Sequence, residues 1–196
     1  MCGRVWVNWG VVCLALVGAV GCGSSDAASA KAPPSGSFAV SDYFVPAAVL
    51  QGAPGHVITH INDGCMTRPA AALGDCYRFD FQEASLGALW QYPAGNFGDA
   101  PGLALPSGLT KVSFWAAVTG GEVAMPSFEF GAGYPVPDVA YPDTFAVTND
   151  VKLSAEWQHF EVALPQPAPT SLVMAFKFDS YVTSGERFYL DDLVYE

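Results

Sequence analysis

Basic residues are scarce in this chain, with 8 Lys and Arg against 19 Asp and Glu in 196 residues. One of the eight, Arg4, lies within the first 21 residues, so the remainder carries a formal charge of 7 − 19 = −12. Nucleic acid and anionic lipid surfaces both require a basic face, so neither is an expected partner. Neutral polysaccharide and divalent cations stay open. Membrane-spanning length is also missing near the start: the apolar run Val11–Val20 is ten residues, where a bilayer needs about 20. There is no convincing long amphipathic helix, and no internal repeat, which argues against a propeller or solenoid. The metal-hydrolase pattern HExxH and the nucleophile elbow GxSxG are both absent. Cysteine is sparse, and beyond residue 22 only Cys65 and Cys76 remain.

What is present at the start is an export signal. Arg4 precedes the apolar run, and Gly21, Cys22 and the small polar residues after them follow it. This resembles the lipobox of bacterial lipoproteins, with Ala19 at the position where that box usually carries Leu, Val or Ile. The resemblance implies a signal peptide over 1–21, a lipid on Cys22, and residence in the bacterial cell envelope with membrane contact through that anchor alone. Ordinary cleavage after Gly21 would instead leave Cys22 as a free thiol, because Ala19 and Gly21 also satisfy the small-x-small rule. Residues 22–37 are rich in Ser, Ala, Gly and Pro and read as a flexible tether. Residues 38–196 are long enough for one domain with its own core. In an oxidising compartment Cys65 and Cys76 are expected to form a disulfide, closing a loop worth roughly 3 kcal/mol in the chain-entropy model.

Alternation with a period of two runs through that domain. Tyr77, Phe79 and Phe81 oppose Arg78, Asp80 and Gln82; Val112, Phe114 and Ala116 oppose Lys111, Ser113 and Trp115. Gln158, Phe160, Val162 and Leu164 continue the pattern, as do Met174, Phe176 and Phe178. The expectation is nine or ten short strands near 38–45, 56–61, 76–82, 87–92, 109–118, 122–130, 143–151, 157–164, 172–179 and 186–195. Gly/Pro turn clusters such as Pro93–Asn96 separate them. Many short strands with an aromatic-rich interior make an all-β sandwich or barrel.

Three segments carry a further likeness: Leu109-Thr-Lys-Val-Ser-Phe-Trp-Ala117, Val151–Leu164 with Trp157 and Phe160, and the closing Phe188-Tyr-Leu-Asp-Asp-Leu193. In that order they resemble the carbohydrate-binding-module-like β-jelly rolls of the galactose-binding-domain type. The segment Trp90–Gly98 is also similar to one in secreted or lipid-anchored bacterial jelly-roll proteins. The resemblance implies a β-sandwich jelly roll of antiparallel strands, a polysaccharide or glycoconjugate ligand, and a structural calcium near the first and last strands. Asp191 or Asp192, Asp42 and nearby carbonyls would supply its oxygens, of which calcium takes six to eight.

Aromatic residues mark the candidate ligand surface. Trp90 and Tyr92 share a strand face, and Asn96 and Phe97 follow in a Gly-rich loop. Exposed rings stack on the C–H faces of sugars while amides take the hydroxyls; buried, the same rings would simply fill the core. Trp115 lies opposite the apolar set of its strand and is a second candidate. Tyr134 and Tyr141 form a third, and Trp157 reads as a structural plug. Catalysis is not expected. His56 and His60 stand on a strand-forming run, where four residues span roughly 13 Å, too far for one metal ion. The few Lys and Arg, scattered singly in the sequence, suit an acidic-polysaccharide lyase poorly. The reading is a non-catalytic, lipid-anchored carbohydrate-binding domain. The alternatives are a surface module binding another protein, and a carbohydrate-active enzyme.

Overall fold

Two antiparallel sheets pack face to face over an aromatic core, a β-sandwich with a jelly-roll arrangement. The computed structural model describes residues 31–49, 57–69, 72–81, 86–119, 127–133, 138–143, 146–181 and 186–196. Within them lie β1 (Phe38–Ala39), β2 (Val45–Val49), β3 (Val57–Ile61), β4 (Tyr77–Phe81), β5 (Leu86–Gln91), β6 (Leu103–Ala104) and β7 (Lys111–Thr119). There follow β8 (Ser127–Ala132), β9 (Ala146–Lys152), β10 (Gln158–Ala163), β11 (Ser171–Leu172), β12 (Met174–Tyr181) and β13 (Arg187–Tyr195). The first sheet runs β10-β7-β13-β4-β3, with β1 pairing the end of β13; the second runs β2-β5-β12-β8-β9. The short β6 and β11 pair separately. The expected strands appear close to their expected positions. The first is broken, because Val40–Asp42 form a 3-10 turn between β1 and β2 and carry the chain from one sheet to the other.

Period-two patterning explains the layers. Tyr77, Phe79 and Phe81 point inward from β4, Phe114 from β7 and Phe188 from β13, all buried. They meet Trp90 from β5, Phe128 and Phe130 from β8, and Phe176 and Phe178 from β12. The rings interlock edge-on: Trp90 stands at 86° to Tyr77 and 76° to Phe176, at centroid separations of 5.2 and 5.5 Å. Such edge-to-face pairs add to the area they bury, each by about 1 kcal/mol.

Pro46 sits in β2, at the rim of the second sheet, where no neighbouring strand needs its missing N–H. Cys65 and Cys76 form the expected disulfide. It closes the connection between β3 and β4 into a loop whose fastening to the first sheet shapes that sheet's outer face.

Candidate functional site

The outer face of the first sheet holds the candidate site, and register places its residues. Along β7 the outward positions are Lys111, Ser113, Trp115, Ala117 and Thr119. His159 of β10 pairs with Trp115 on one side, and Asp191 of β13 pairs with it on the other. Tyr189 pairs with Ala117, and Arg187 with Thr119. Directly opposed residues share a face, so these side chains form rows across the sheet. Trp115 is half-buried and packs on the imidazole of the exposed His159, with centroids 4.9 Å apart. Trp157, two residues ahead of His159, meets Tyr189 edge-on at 6.2 Å. Two indoles and an imidazole thus occupy neighbouring positions on one sheet face.

The disulfide loop borders this strip. Arg68 donates from Nε and Nη2 to the two carboxylate oxygens of Asp191, at 2.8 and 2.6 Å. Asp191 is 0% exposed, and burying a carboxylate without such a partner is costly. This forked bond raises the Arg68 pKa further above its ordinary value, the hydrogen bond being the main cause and burial the opposing one. The Leu73 N–H donates to Asp192 Oδ1 at 2.6 Å, and the Trp157 indole N–H donates to the Thr67 carbonyl at 2.8 Å. Asp192 takes a positive φ of 52°, and the register of β13 slips between Asp191 and Val194. That bulge is why two adjacent Asp residues both serve one loop instead of opposite faces. Gly64 is required where the loop crosses Arg78: its φ is +67°, and a Cβ there would overlap Arg78 Nη1.

Charged groups stand at both ends of the strip. At one end Lys111 bonds Glu161, which lifts the lysine pKa and lowers that of the carboxyl. At the other, Asp80 accepts from Arg78 Nη2 at 3.0 Å, faces His60 Nε2 at 3.1 Å, and faces Arg187 Nε at 3.4 Å.

Several sequence expectations change here. Trp90 is 0% exposed and belongs to the core, so it offers no ring to a ligand. Tyr92 is half-buried, its ring 5.9 Å from Phe44. Asn96 is buried and structural: Oδ1 accepts from the Gly98, Asp99 and Ala100 N–H groups, while Nδ2 donates to the Tyr92 and Ala100 carbonyls. The opposite face of β5 is covered as well, because Gln91 is fully buried and donates to the Asn96 carbonyl at 2.9 Å. Phe97, on this locked loop, is 43% exposed, and Tyr141 is exposed beside it, its N–H bonded to the Gly98 carbonyl. Trp115 alone of the five expected ligand residues joins the strip on the first sheet. Trp157 and Arg68 were not among them. A Trp two residues ahead of an outward His was the available signal for Trp157; no sequence signal links Arg68 to Asp191, 123 residues away.

The expected calcium ligands do not fit that ion. Asp191 is taken by Arg68, Asp192 Oδ1 by Leu73, and Asp42 pairs with Lys31 at 2.8 Å. Among the described residues no group of three or more His, Cys, Asp or Glu side chains is placed to hold a metal ion. Cys22, His56 and Tyr134 lie outside the described residues.

No protein-family model matches this chain, and no curated protein matches it in sequence. Among solved structures it is similar to the family 30 carbohydrate-binding module of the cellulosomal cellulase Cel9D-Cel44B of Clostridium thermocellum, at 13% identity and a TM-score of 0.49, over 78% of this chain and 92% of that one. It is similar to the family 11 module of the Clostridium thermocellum cellulase Lic26A-Cel5E at 12% identity and a TM-score of 0.45, over 83% and 95% of the two chains. For the CBM22-1 xylan-binding domain of Paenibacillus barcinonensis Xyn10C the identity is 9% and the TM-score 0.45, over 85% and 97%.

Proposed function

We propose that this protein is a non-catalytic carbohydrate-binding domain held at the bacterial cell envelope by a lipid on Cys22. The observation that carries the binding reading is the aromatic strip of Trp115, His159 and Trp157 on one sheet face. Sugar rings present flat C–H faces to such a surface, and the half-exposed carboxylate of Glu161 beside it offers an acceptor for hydroxyls. Preorganisation supports it, since Trp157 is pinned by the Thr67 carbonyl and Trp115 rests on His159.

Binding of the full chain to a polysaccharide panel, with and without a chelator, tests the reading. Trp115→Ala is expected to weaken retention at least about tenfold while leaving the unfolding midpoint nearly unchanged. Binding is expected to persist in chelator, because the three Asp residues expected at a calcium site are engaged by protein groups. Absence of binding to every glycan would overturn the proposal in favour of a surface module with a protein partner. The anchor is tested separately by the mass of the processed amino-terminal peptide, which should carry acyl chains on Cys22 and lose them in Cys22→Ser.

A further inference from the structure

The structure gathers cations that the sequence scatters. The three arginines beyond residue 22, Arg68, Arg78 and Arg187, all reach the outer face of the first sheet, in a chain whose charge there is −12. Two of the three turn their guanidinium groups into the protein: Arg68 bonds Asp191, and Arg78 donates from Nη2 to Asp80 with Nη1 packed against Gly64. Arg187 does not. Its side chain is 59% exposed, only Nε faces Asp80, and among the described residues neither Nη has a partner. A guanidinium with Nε turned to Asp80 presents a planar pair of N–H donors to solvent, the geometry that grips a carboxylate with two parallel bonds. Arg187 pairs with Thr119 at the end of the aromatic strip, and its position is four residues, about 13 Å, from Asp191, the partner of Trp115.

On the proposal that the strip binds glycan, we infer that the ligand is a carboxylated chain, a polyuronate, with its ring faces on Trp115 and Trp157 and a carboxylate on Arg187. Most of the carboxylates described on this face already have partners, Glu196 included, which accepts from the Ser113 hydroxyl and faces Lys111 at 3.6 Å. Asp80 is shared by Arg78, His60 and Arg187, Glu161 by Lys111, and Asp191 by Arg68, while Asp63 is exposed beside His60. Exposed charges more than roughly 8 Å away are largely screened at physiological salt, and Glu186, next to Arg187 in the chain, is buried. A carboxylate at Arg187 therefore meets a local donor pair instead of the net charge.

The experiment compares three probes on the full chain: polygalacturonate, the same polymer methyl-esterified, and a neutral β-glucan. Wild type is expected to retain polygalacturonate and to bind the esterified polymer about tenfold more weakly, because esterification removes the charge and leaves the ring faces. Arg187→Gln should erase that difference without moving the unfolding midpoint, and Arg187→Lys should restore it only in part, having no fork. Equal binding of acid and ester, or preference for the β-glucan, overturns the inference and leaves the glycan-binding reading intact. Retention of none of the three, nor of any polymer on the wider panel, overturns both.

Discussion

Trp90 and Trp115 show how one residue type divides between packing and recognition. Both sit in alternating strands among apolar neighbours, yet β5 is covered on both faces and β7 on one. Trp90→Ala removes a fully buried ring from among Tyr77, Phe79 and Phe176, and a loss of about 3–5 kcal/mol in unfolding free energy is expected, measured by urea titration. A variant that keeps wild-type stability would show that Trp90 is not the centre of this core. The Arg68–Asp191 pair makes a second case at this scale. Arg68→Ala strands a carboxylate that is 0% exposed, and about 3 kcal/mol of destabilisation is expected. The double variant with Asp191→Leu should recover much of it, since removing both charges removes the desolvation cost. No recovery would mean that the pair contributes through the loop it fastens and not through its charges.

At the scale of elements, the strands were legible in the sequence and their covering was not. Alternation in 76–82, 109–118 and 157–164 reports which side of a strand is apolar, and the sheets form on those sides. It cannot report that the loop after β5 folds back over Gln91, because that burial depends on Asn96 holding a turn through five hydrogen bonds of its own. The paired Asp residues at 191–192 were legible as part of the jelly-roll resemblance and as candidate calcium ligands. Their purpose lay in Arg68 and Leu73, contacts between distant segments that no local pattern encodes. The disulfide loop joins both observations, since it carries those two partners. Replacing Cys65 and Cys76 together by Ser should cost roughly 3 kcal/mol. Thermolysin cleavage at the Ala72–Leu73 bond should then become faster than in wild type, as the loop opens below the threshold for global unfolding. Unchanged cleavage before Leu73 would show that Asp191, Asp192 and Trp157 hold the loop without the disulfide.

The whole molecule is held across its core by phenols as well as by hydrocarbon, and this sets its response to alkali. Tyr195, on β13 of the first sheet, is fully buried, stacks on Phe38 and donates its hydroxyl to the Ala175 carbonyl on β12 of the second. Burial pushes its pKa well above the ordinary value of 10.0. Tyr77, edge-on to Trp90 across the sandwich, is pushed up to about 12, again chiefly by burial. In the unfolded chain both phenols ionise near 10. Above that pH the unfolded state has released protons that the folded state still holds, so stability falls as pH rises. Tyr77 alone should contribute a loss of about 2–3 kcal/mol between pH 10 and 12, at about 1.4 kcal/mol per pH unit, and Tyr195 should steepen it. Because each phenol bridges the two sheets, the loss should appear as one cooperative transition, not as fraying of an edge. Tyr195→Phe separates the contributions: at neutral pH it leaves the Ala175 carbonyl without its donor and should cost about 1–2 kcal/mol, whereas above pH 10 its decline should be shallower than that of wild type. Urea midpoints followed from pH 8 to 12 check both signs. A wild-type midpoint that stays level across that range would mean that both phenols ionise in place, and that the contact between the sheets admits water where the packing indicates none.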